Sequence, residues 1–247
     1  MTPQNIYDEP AFFKGYLEMR EAASGLNEVL EQPALLRLLP ESLAGTRVLD
    51  VGCGFGDFAR KARLLGAREV LGIDPSERML EEARSKTGDP AIEFRRQAAE
   101  ELEPTVGPFD LVVSSLALHY VDDYVGAMRR IAAVMVPGGR LAFSVEHPMC
   151  TALPEQRWCR TRDGEALHWP VDRYRDEGPR STHWFVDGVV KYHRTVETYV
   201  GGLIGAGFRL VALEEPEPTP DALAARPDLD LHRRRPPFLV LAADRSG

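Results

Sequence analysis

Short apolar runs alternate with amphipathic stretches along most of the chain, and this alternation predicts the fold. The apolar runs are rich in Val, Leu and Ile, which is typical of strands buried on both faces. The predicted strands cover residues 48–51, 69–74, 92–96, 109–115, 140–145, 208–214 and 238–242, and the predicted helices between them cover 58–65, 77–86, 124–135 and 196–206. Strands and helices that alternate at these lengths predict an α/β fold with a largely parallel sheet and right-handed connections.

Three glycines at alternate positions follow the first predicted strand. Gly52, Gly54 and Gly56 separate this strand from the helix at 58–65. Glycine lets the backbone turn tightly and approach a ligand, and free N–H groups at a helix start favour an anionic group. The pattern predicts a nucleotide-binding loop, although a tight strand-to-helix turn without a ligand has the same glycines.

An acidic residue ends the second predicted strand. Asp74 lies twenty residues after Gly54, a spacing that places a carboxylate where it can accept hydrogen bonds from both hydroxyls of a ribose. A helix-capping role is the alternative for Asp74, but Ser76 is the better cap for the helix that follows. We therefore expect Asp74 to face a ligand.

The chain has two segments outside this alternation. Residues 1–40, here called the cap, are predicted to form helices, and Tyr16, Arg20 or Asn27 is a candidate to reach over the ligand cleft. Residues 147–194, here called the lid, lack the strand–helix rhythm but contain all three tryptophans, so an ordered segment is expected. Asp163-Gly164 and Asp187-Gly188 predict two hairpin turns in it. A surface excursion that shields the sheet edge is the alternative.

Composition limits the class of protein. The 247 residues carry a net charge of -8, which argues against a nucleic-acid-binding protein. The three cysteines show no metal-ligand spacing and suit a reducing compartment, so we expect no metal. No apolar run is long enough to span a bilayer and no signal peptide is recognisable. The sequence predicts a cytoplasmic monomer or homodimer that does not bind membranes.

Four motifs, in order and at matching spacing, resemble the class I S-adenosylmethionine-dependent methyltransferases, in particular their small-molecule group called type 11. The motifs are residues 50–56, Asp74, residues 114–119 and residues 136–139. The resemblance runs from about Pro40 onward. It implies one domain with a Rossmann-like, seven-stranded, mostly parallel sheet, an antiparallel last strand and helices on both faces. Its parts would be the cap (1–40), a cofactor-binding core (41–146), a lid inserted after strand five (147–194) and the remainder of the core (195–247).

The resemblance also implies the cofactor and its contacts. S-adenosyl-L-methionine would give a methyl group to an O, N or C atom of a small molecule, leaving S-adenosyl-L-homocysteine. One departure is Ala98, which stands where family members often have Asp beside the adenine, so groups near Ala99 or Glu100 would replace that contact. The implied cofactor-binding residues are Asp50, Gly52, Cys53, Gly54, Gly56, Asp74, Pro75, Ala99, Glu100, Ser114, Ser115 and Leu116.

Histidines are the candidates for a general base, which is needed only if the acceptor carries a weakly acidic proton. His119 and His147 follow strands at the cofactor edge and are the preferred candidates, although a structural role is the alternative for each. The candidate substrate-binding residues are Tyr16, Trp158, Tyr174, Trp184 and His193. Arg173, Arg180 and Arg194 are candidates to meet a substrate carboxylate, whereas residues 233–235, all arginine, are expected to form a solvated turn.

Three other functions share some of these features. An NAD-dependent oxidoreductase also has a glycine loop, but here Asp57 stands where its third glycine is expected. Other S-adenosylmethionine chemistry, such as cyclisation of the cofactor, would keep the same binding site. A non-catalytic cofactor-binding protein would keep the loop without an acceptor cavity.

Overall fold

The computed structural model describes residues 5–22 and 25–247, and its centre is one seven-stranded sheet. Its strands are β1 (Arg47–Val51), β2 (Glu69–Asp74), β3 (Ile92–Arg96), β4 (Phe109–Ser114), β5 (Met135–Glu146), β10 (Phe208–Glu214) and β11 (Phe238–Arg245), and the lid contains β6 to β9. The strand order is β10-β11-β5-β4-β1-β2-β3, and only β11 runs antiparallel to its two neighbours. The sheet predicted from the sequence is therefore confirmed. Strand order reverses between β1 and β4, which is the position where such sheets bind ligands.

Helices cover both faces of this sheet and bury two apolar clusters. The helices are α1 (Pro10–Glu21), α2 (Gln32–Arg37), α3 (Asp57–Leu64), α4 (Glu77–Ser85), α5 (Tyr124–Ala133), α6 (Pro148–Thr151), α7 (Val196–Gly205), α8 (Pro220–Ala225) and α9 (Leu231–Arg234). Tyr124 of α5 and Tyr199 of α7 pack on one face of the sheet, whereas Ala59 and Ala62 of α3 pack on the other. A π-helical segment, Asn27–Glu31, leads into α2.

Short polar side chains begin the helices of the core. Ser76 Oγ accepts a hydrogen bond from the Met79 amide at 3.2 Å, and Thr195 Oγ1 accepts one from the Thr198 amide at 3.1 Å. Both bonds satisfy amides that lack a partner inside the helix, as predicted for Ser76 and Thr195.

The boundary between α5 and β5 differs from the prediction. Helix α5 ends at Ala133 and β5 begins at Met135, whereas the sequence predicted a helix to 135 and a strand from 140. The Phe109 amide donates to the Val134 carbonyl at 2.8 Å, and Phe109 pairs with Met135. Because Met135 pairs with β4, the backbone is already extended there, before the turn at Pro137-Gly138-Gly139.

The lid contains two hairpins. The first joins β6 (Cys159–Arg160) and β7 (Ala166–His168) around the predicted Asp163-Gly164 turn. The second joins β8 (Gly178–Trp184) and β9 (Val186–His193), but its turn lies at Phe185, which has a φ of 61°. The prediction of a turn at Asp187-Gly188 is therefore wrong, because Trp184 already pairs with Val186.

The cap packs against the second hairpin of the lid. Phe12 of α1 is fully buried and its ring lies 5.4 Å from that of Trp184 and 5.5 Å from that of Phe185. These aromatic contacts close the space above the carboxyl ends of the strands. Within the described ranges, no helix is both long and apolar enough to cross a membrane.

Candidate functional site

A cavity of about 1010 Å³ lies beyond the carboxyl ends of β1, β2 and β4, under the cap and the lid. It brings together most of the residues that the sequence singled out. Those that line it are Tyr16, Asp50, Gly52, Cys53, Gly54, Asp74, Pro75, Ala99, Glu100, Ser115, Leu116, His119, Trp158 and Trp184. Ligand pockets in proteins occupy about 300–1000 Å³, so this cavity has room for a cofactor together with a second small molecule.

The glycine loop has the backbone conformation that only glycine adopts easily. Gly52 has a φ of +71°, and a Cβ atom at this position would lie 2.3 Å from the Cβ atom of Ala117. Gly54 and Gly56 also have positive φ, at +51° and +73°. The loop is therefore fixed by backbone geometry and by the close approach of Ala117.

The amides of this loop are already hydrogen-bonded within the protein. Those of Gly52 and Cys53 donate to the Ile73 carbonyl at 2.8 and 3.0 Å, and that of Gly56 donates to the Cys53 carbonyl at 2.9 Å. The Gly54 amide donates to the Asp74 carboxylate at 3.0 Å. These four amides already have acceptors within the protein, so an anionic ligand group would have to share them.

Asp74 ends β2 with its carboxylate held in place. One oxygen accepts the Gly54 amide and the other accepts the Ser76 amide at 2.9 Å, while burial raises the Asp74 pKa to about 6. A carboxylate oxygen has two lone pairs, so each oxygen can still accept a bond from a ligand hydroxyl.

Asp50, at the carboxyl end of β1, carries an unsatisfied acceptor. Its side chain is 2% exposed, and within the described chain its Oδ2 atom has no hydrogen-bond partner. Burial, and after it the charges of Asp74 and Asp57, raise the Asp50 pKa to about 8. A buried acceptor without a partner at a cavity wall suits a ligand that brings a hydrogen-bond donor.

Arg20 of the cap brings a positive charge to the same end of the cavity. Its guanidinium pairs with Glu28 at 2.9 Å and with Asp57, the first residue of α3, at 2.7 Å. This arginine also lines the cavity, as do Asn27 and Asp57. The cap therefore contributes polar groups to the site, as the sequence suggested for Arg20 and Asn27.

Beside β3 the wall has no aspartate, as the sequence showed. The Ala98 amide donates to Glu101 Oε2 at 3.0 Å, and Ala98 itself lines the cavity. Burial raises the pKa of Glu100, which lies on the same wall. The Gln97 Oε1 atom is buried and has no partner among the described residues. Gln97 Oε1 thus remains available to a ligand, and Glu100 adds a carboxyl group to the same wall.

The opposite half of the cavity contains a buried ion pair that the sequence reasoning missed. Lys191 Nζ of β9 lies 2.5 Å from Glu146 Oε1 at the end of β5, and 4.9 Å from the Trp184 ring centroid. Burial opposes the charge on Lys191, yet the adjacent Glu146 carboxylate raises the Lys191 pKa above its usual value. The position of Glu146 at the carboxyl end of a central strand was a signal for this site, whereas nothing in the sequence around Lys191 indicated its burial.

His119 lines this half and is uncharged at neutral pH. Its Nδ1 atom accepts the Glu146 amide at 3.4 Å, so its proton lies on Nε2. Burial lowers the His119 pKa to about 4. A histidine with this pKa is a poor proton acceptor near neutral pH and serves better as a hydrogen-bond donor.

His147 does not line the cavity. Its Nε2 atom lies 2.7 Å from Glu215 Oε1, and its Nδ1 atom accepts the Met149 amide at 3.1 Å at the start of α6. Both ring nitrogens therefore have structural partners. The structure gives no support to His147 as a general base.

Four other predicted site residues lie outside the cavity wall and have structural contacts. The His193 ring bonds the Thr151 hydroxyl at 2.8 Å and the Tyr174 carbonyl at 2.9 Å, and the Tyr174 hydroxyl accepts the Val196 amide at 3.1 Å. Ser114 Oγ donates to the Val51 carbonyl at 2.8 Å, and Gly56 precedes α3. These contacts position the lid and the glycine loop.

Residues 233–235 were expected to be solvated, and this is wrong for Arg235. Arg233 and Arg234 are exposed, but Arg235 is only 8% exposed and lines the cavity. Its guanidinium lies 4.3 Å from the centroid of the Trp169 ring. Contact with the lid, rather than local sequence, decides its burial.

The sheet is doubly wound, two neighbouring strands each end near an acidic residue, and a large cavity lies at the switch point. These features define an α/β protein that binds a nucleotide-like cofactor. Comparison with known proteins makes this specific. Residues 48–139 match the family model of a methyltransferase domain.

Two solved structures are similar over most of the chain. An S-adenosylmethionine-dependent methyltransferase from Mesorhizobium loti is 45% identical with a TM-score of 0.81, covering 87% of this chain and 97% of that one. A putative S-adenosylmethionine-dependent methyltransferase from Listeria monocytogenes is 41% identical with a TM-score of 0.82, covering 88% and 97%.

Two curated sequences are also similar to this chain over most of their length. An uncharacterized protein from Haemophilus influenzae is 35% identical over 97% of this chain and 96% of its own length. The N-demethylindolmycin N-methyltransferase of Streptomyces griseus is 28% identical over 81% of this chain and 87% of its own length. The chain belongs to the S-adenosylmethionine-dependent methyltransferases, and its cofactor is S-adenosylmethionine.

Proposed function

We propose that this enzyme methylates a small molecule that binds between His119, Lys191 and the lid tryptophans. The observation that carries the proposal is the single cavity of about 1010 Å³, which joins the strand-end acids Asp50 and Asp74 to these lid residues. A cofactor at the strand ends and an acceptor under the lid would then share one enclosed space. The name of the similar Streptomyces griseus enzyme, an N-methyltransferase, supports a small acceptor.

The cofactor half fits S-adenosylmethionine group by group. The unsatisfied Asp50 acceptor suits the ammonium group, and the Asp74 carboxylate suits the ribose hydroxyls. The loop amides already have protein acceptors, whereas a guanidinium has five N–H donors and Arg20 uses two of them for Glu28 and Asp57. We therefore assign the methionine carboxylate to the remaining donors of Arg20. Glu100 and Gln97 are the acceptors available to the adenine amino group.

The residues around the acceptor supply position and hydrogen bonds rather than a base. When bound, S-adenosylmethionine supplies a methyl group that is already activated by the sulfonium charge. Burial keeps His119 neutral and raises the pKa of Tyr120, so both groups donate hydrogen bonds at neutral pH. Holding two reactants in the right geometry contributes about 7–11 kcal/mol in well-oriented systems. We infer that the acceptor presents its own lone pair and that the cavity aligns it.

The first test measures cofactor affinity by calorimetry. Asp74→Asn should weaken S-adenosylmethionine binding at least about tenfold, which is about 1.4 kcal/mol, because the ribose loses a charged acceptor. Asp110→Asn is the matched control, since Asp110 lies at the amino end of β4 and its side chain accepts a bond from the Arg47 amide at 2.8 Å. Equal affinities for the two variants would refute the assignment of Asp74.

The second test identifies the reaction through its product. The enzyme is incubated with labelled S-adenosylmethionine and a panel of amines, phenols and aromatic acids. Release of S-adenosylhomocysteine only when an acceptor is present supports methyl transfer. Release of methylthioadenosine without an acceptor would show cyclisation of the cofactor instead and would overturn the proposal.

A further inference from the structure

Arg235 has a buried guanidinium that forms no ion pair with any carboxylate of the described residues. The residue is 8% exposed and lines the cavity beside Cys150. Its Nη1 group donates to Cys150 Sγ at 2.7 Å, and its Nη2 group lies 3.3 Å from His232 Nδ1. The Nε group is buried without a hydrogen-bond partner, and no carboxylate among the described residues lies within ion-pair distance.

The neighbours of Arg235 do not neutralise its charge. Burial, and after it the charge of Arg235 itself, lower the His232 pKa to about 4, so this imidazole is neutral. Burial raises the Cys150 pKa to about 11, so the sulfur is a neutral thiol and a weak acceptor. A buried charge without a counter-charge is costly, and proteins normally pair it.

The other charged groups at this end of the cavity are either paired with each other or exposed to solvent. Lys191 and Glu146 form their own ion pair at 2.5 Å. Glu155 of the lid also lines the cavity, but it is exposed and is not paired with Arg235. The acceptor half therefore carries one positive charge for which the described protein supplies no partner.

We propose that Arg235 binds a carboxylate of the acceptor, so that the substrate of this enzyme is an organic acid with a flat, apolar body. The proposal rests on the methyl-transfer function given above. A guanidinium presents a planar fork of N–H donors that matches the two oxygens of a carboxylate. The rings of Trp158, Trp169 and Trp184 line the same cavity and suit a flat apolar group.

The position of Arg235 relative to the reaction site supports a role in specificity. Phe238, three residues further on, pairs with Glu146 in the antiparallel β11–β5 ladder. The intervening Pro236 and Pro237 restrict the backbone, and the Pro237 carbonyl accepts the His147 amide at 2.9 Å. The guanidinium is thus held on a rigid segment next to the strand that carries Glu146.

The test compares acids with their amides on the S-adenosylhomocysteine-loaded enzyme, using isothermal titration calorimetry at millimolar ligand. The probes are benzoate against benzamide and indole-3-acetate against indole-3-acetamide. The wild type should bind at least one acid about tenfold more tightly than its amide, because only the acid pairs with the guanidinium. Arg235→Met should abolish this preference, Arg235→Lys should retain part of it, and Arg233→Met, an exposed neighbour, should retain all of it.

Several results would overturn the proposal. One is that neither acid binds the wild type, another is that acid and amide bind equally, and a third is that Arg235→Met keeps the preference. A purely structural role, in which Arg235 only fastens Trp169, would weaken acid and amide binding alike. If Arg235→Met does not fold, the wild type and Arg235→Lys decide the question. Failure of the wild type to bind S-adenosylhomocysteine would refute the proposed function itself, whereas normal binding without an acid preference refutes only the role of Arg235.

Discussion

Glu31 makes a buried connection between the cap and the cofactor site, and its titration should control stability. The residue is 0% exposed, and its Oε1 atom accepts hydrogen bonds from Ser115 at 2.9 Å and Ser144 at 2.5 Å. Ser144 Oγ in turn accepts the amide of Leu116, a cavity residue with a φ of 51°. Replacing Glu31 with Gln keeps the shape and an acceptor but removes the ionisable group.

The size of the effect follows from the pKa. Burial raises the Glu31 pKa from 4.5 to about 7, and the two serine bonds offset only part of this shift. Because the folded state prefers the protonated carboxyl, the stabilisation is fully present below pH 4.5 and is lost as the pH rises to about 7. One pKa unit corresponds to about 1.4 kcal/mol, so Glu31 should cost the wild type about 2–3 kcal/mol of folding free energy between about pH 5 and about pH 8.

The assay is urea denaturation of the wild type and of Glu31→Gln across this pH range. Asp50 and Asp74 also have raised pKa values and titrate in both proteins, so the difference between the two proteins isolates Glu31. The variant should gain about 2–3 kcal/mol relative to the wild type at the alkaline end. Glu18→Gln is the control, because Glu18 is an exposed residue of α1 and should show no such gain. A difference that does not change with pH would show that Glu31 is ionised throughout and would refute the burial argument.

Three further predictions concern other parts of the structure. His147→Ala should lower the free energy of unfolding by about 1 kcal/mol, because α6 loses its N-terminal cap, while turnover per folded molecule changes less than about twofold. A larger loss of turnover would show that His147 takes part in the reaction. Gly45→Ala, at a φ of +75° with open space around it, should lower the free energy of unfolding by about 1–2 kcal/mol. Gly52→Ala, at a φ of +71° and close to Ala117, should lower it further and also abolish S-adenosylmethionine binding. Equal effects of the two substitutions on denaturation and on calorimetric binding would contradict the close approach at Gly52. Lys191→Met should lower the free energy of unfolding by about 3 kcal/mol, because it leaves the Glu146 carboxylate without its cation. Adding Glu146→Gln should restore most of this loss. A double variant that is no more stable than Lys191→Met would show that the ion pair does not carry the effect.

The cofactor half of the site was predictable because its signals are local. Asp50 and Asp74 end adjacent strands, and the carboxyl ends of parallel strands meet at one edge of a sheet. Gly52 and Gly54 follow the first of those strands directly, so sequence spacing alone places them beside the acids. The predicted loss of an adenine contact at Ala98 came instead from the resemblance to the methyltransferase family.

The acceptor half was not predictable in the same way, because its contacts join distant segments. His147 follows a strand at the correct edge, yet its ring turns to Glu215, a residue far along the chain. Arg235 is one of three consecutive arginines, a pattern typical of a solvent-exposed segment, but packing against Trp169 of the lid buries its side chain. Burial of a charged side chain depends on what covers it, and the sequence around the residue does not contain that information.

The distribution of charge in the cavity also bears on how an acceptor is oriented. With its carboxylate paired to the Arg235 guanidinium, an organic acid would extend along the lid tryptophans and turn its other end toward His119. If the carboxylate turned toward the cofactor instead, the buried guanidinium would lose its counter-charge, and an unpaired buried charge is costly. Arg235 would therefore both select an acid and direct its reactive end, since specificity arises from the unfavourable arrangement as much as from the favourable one.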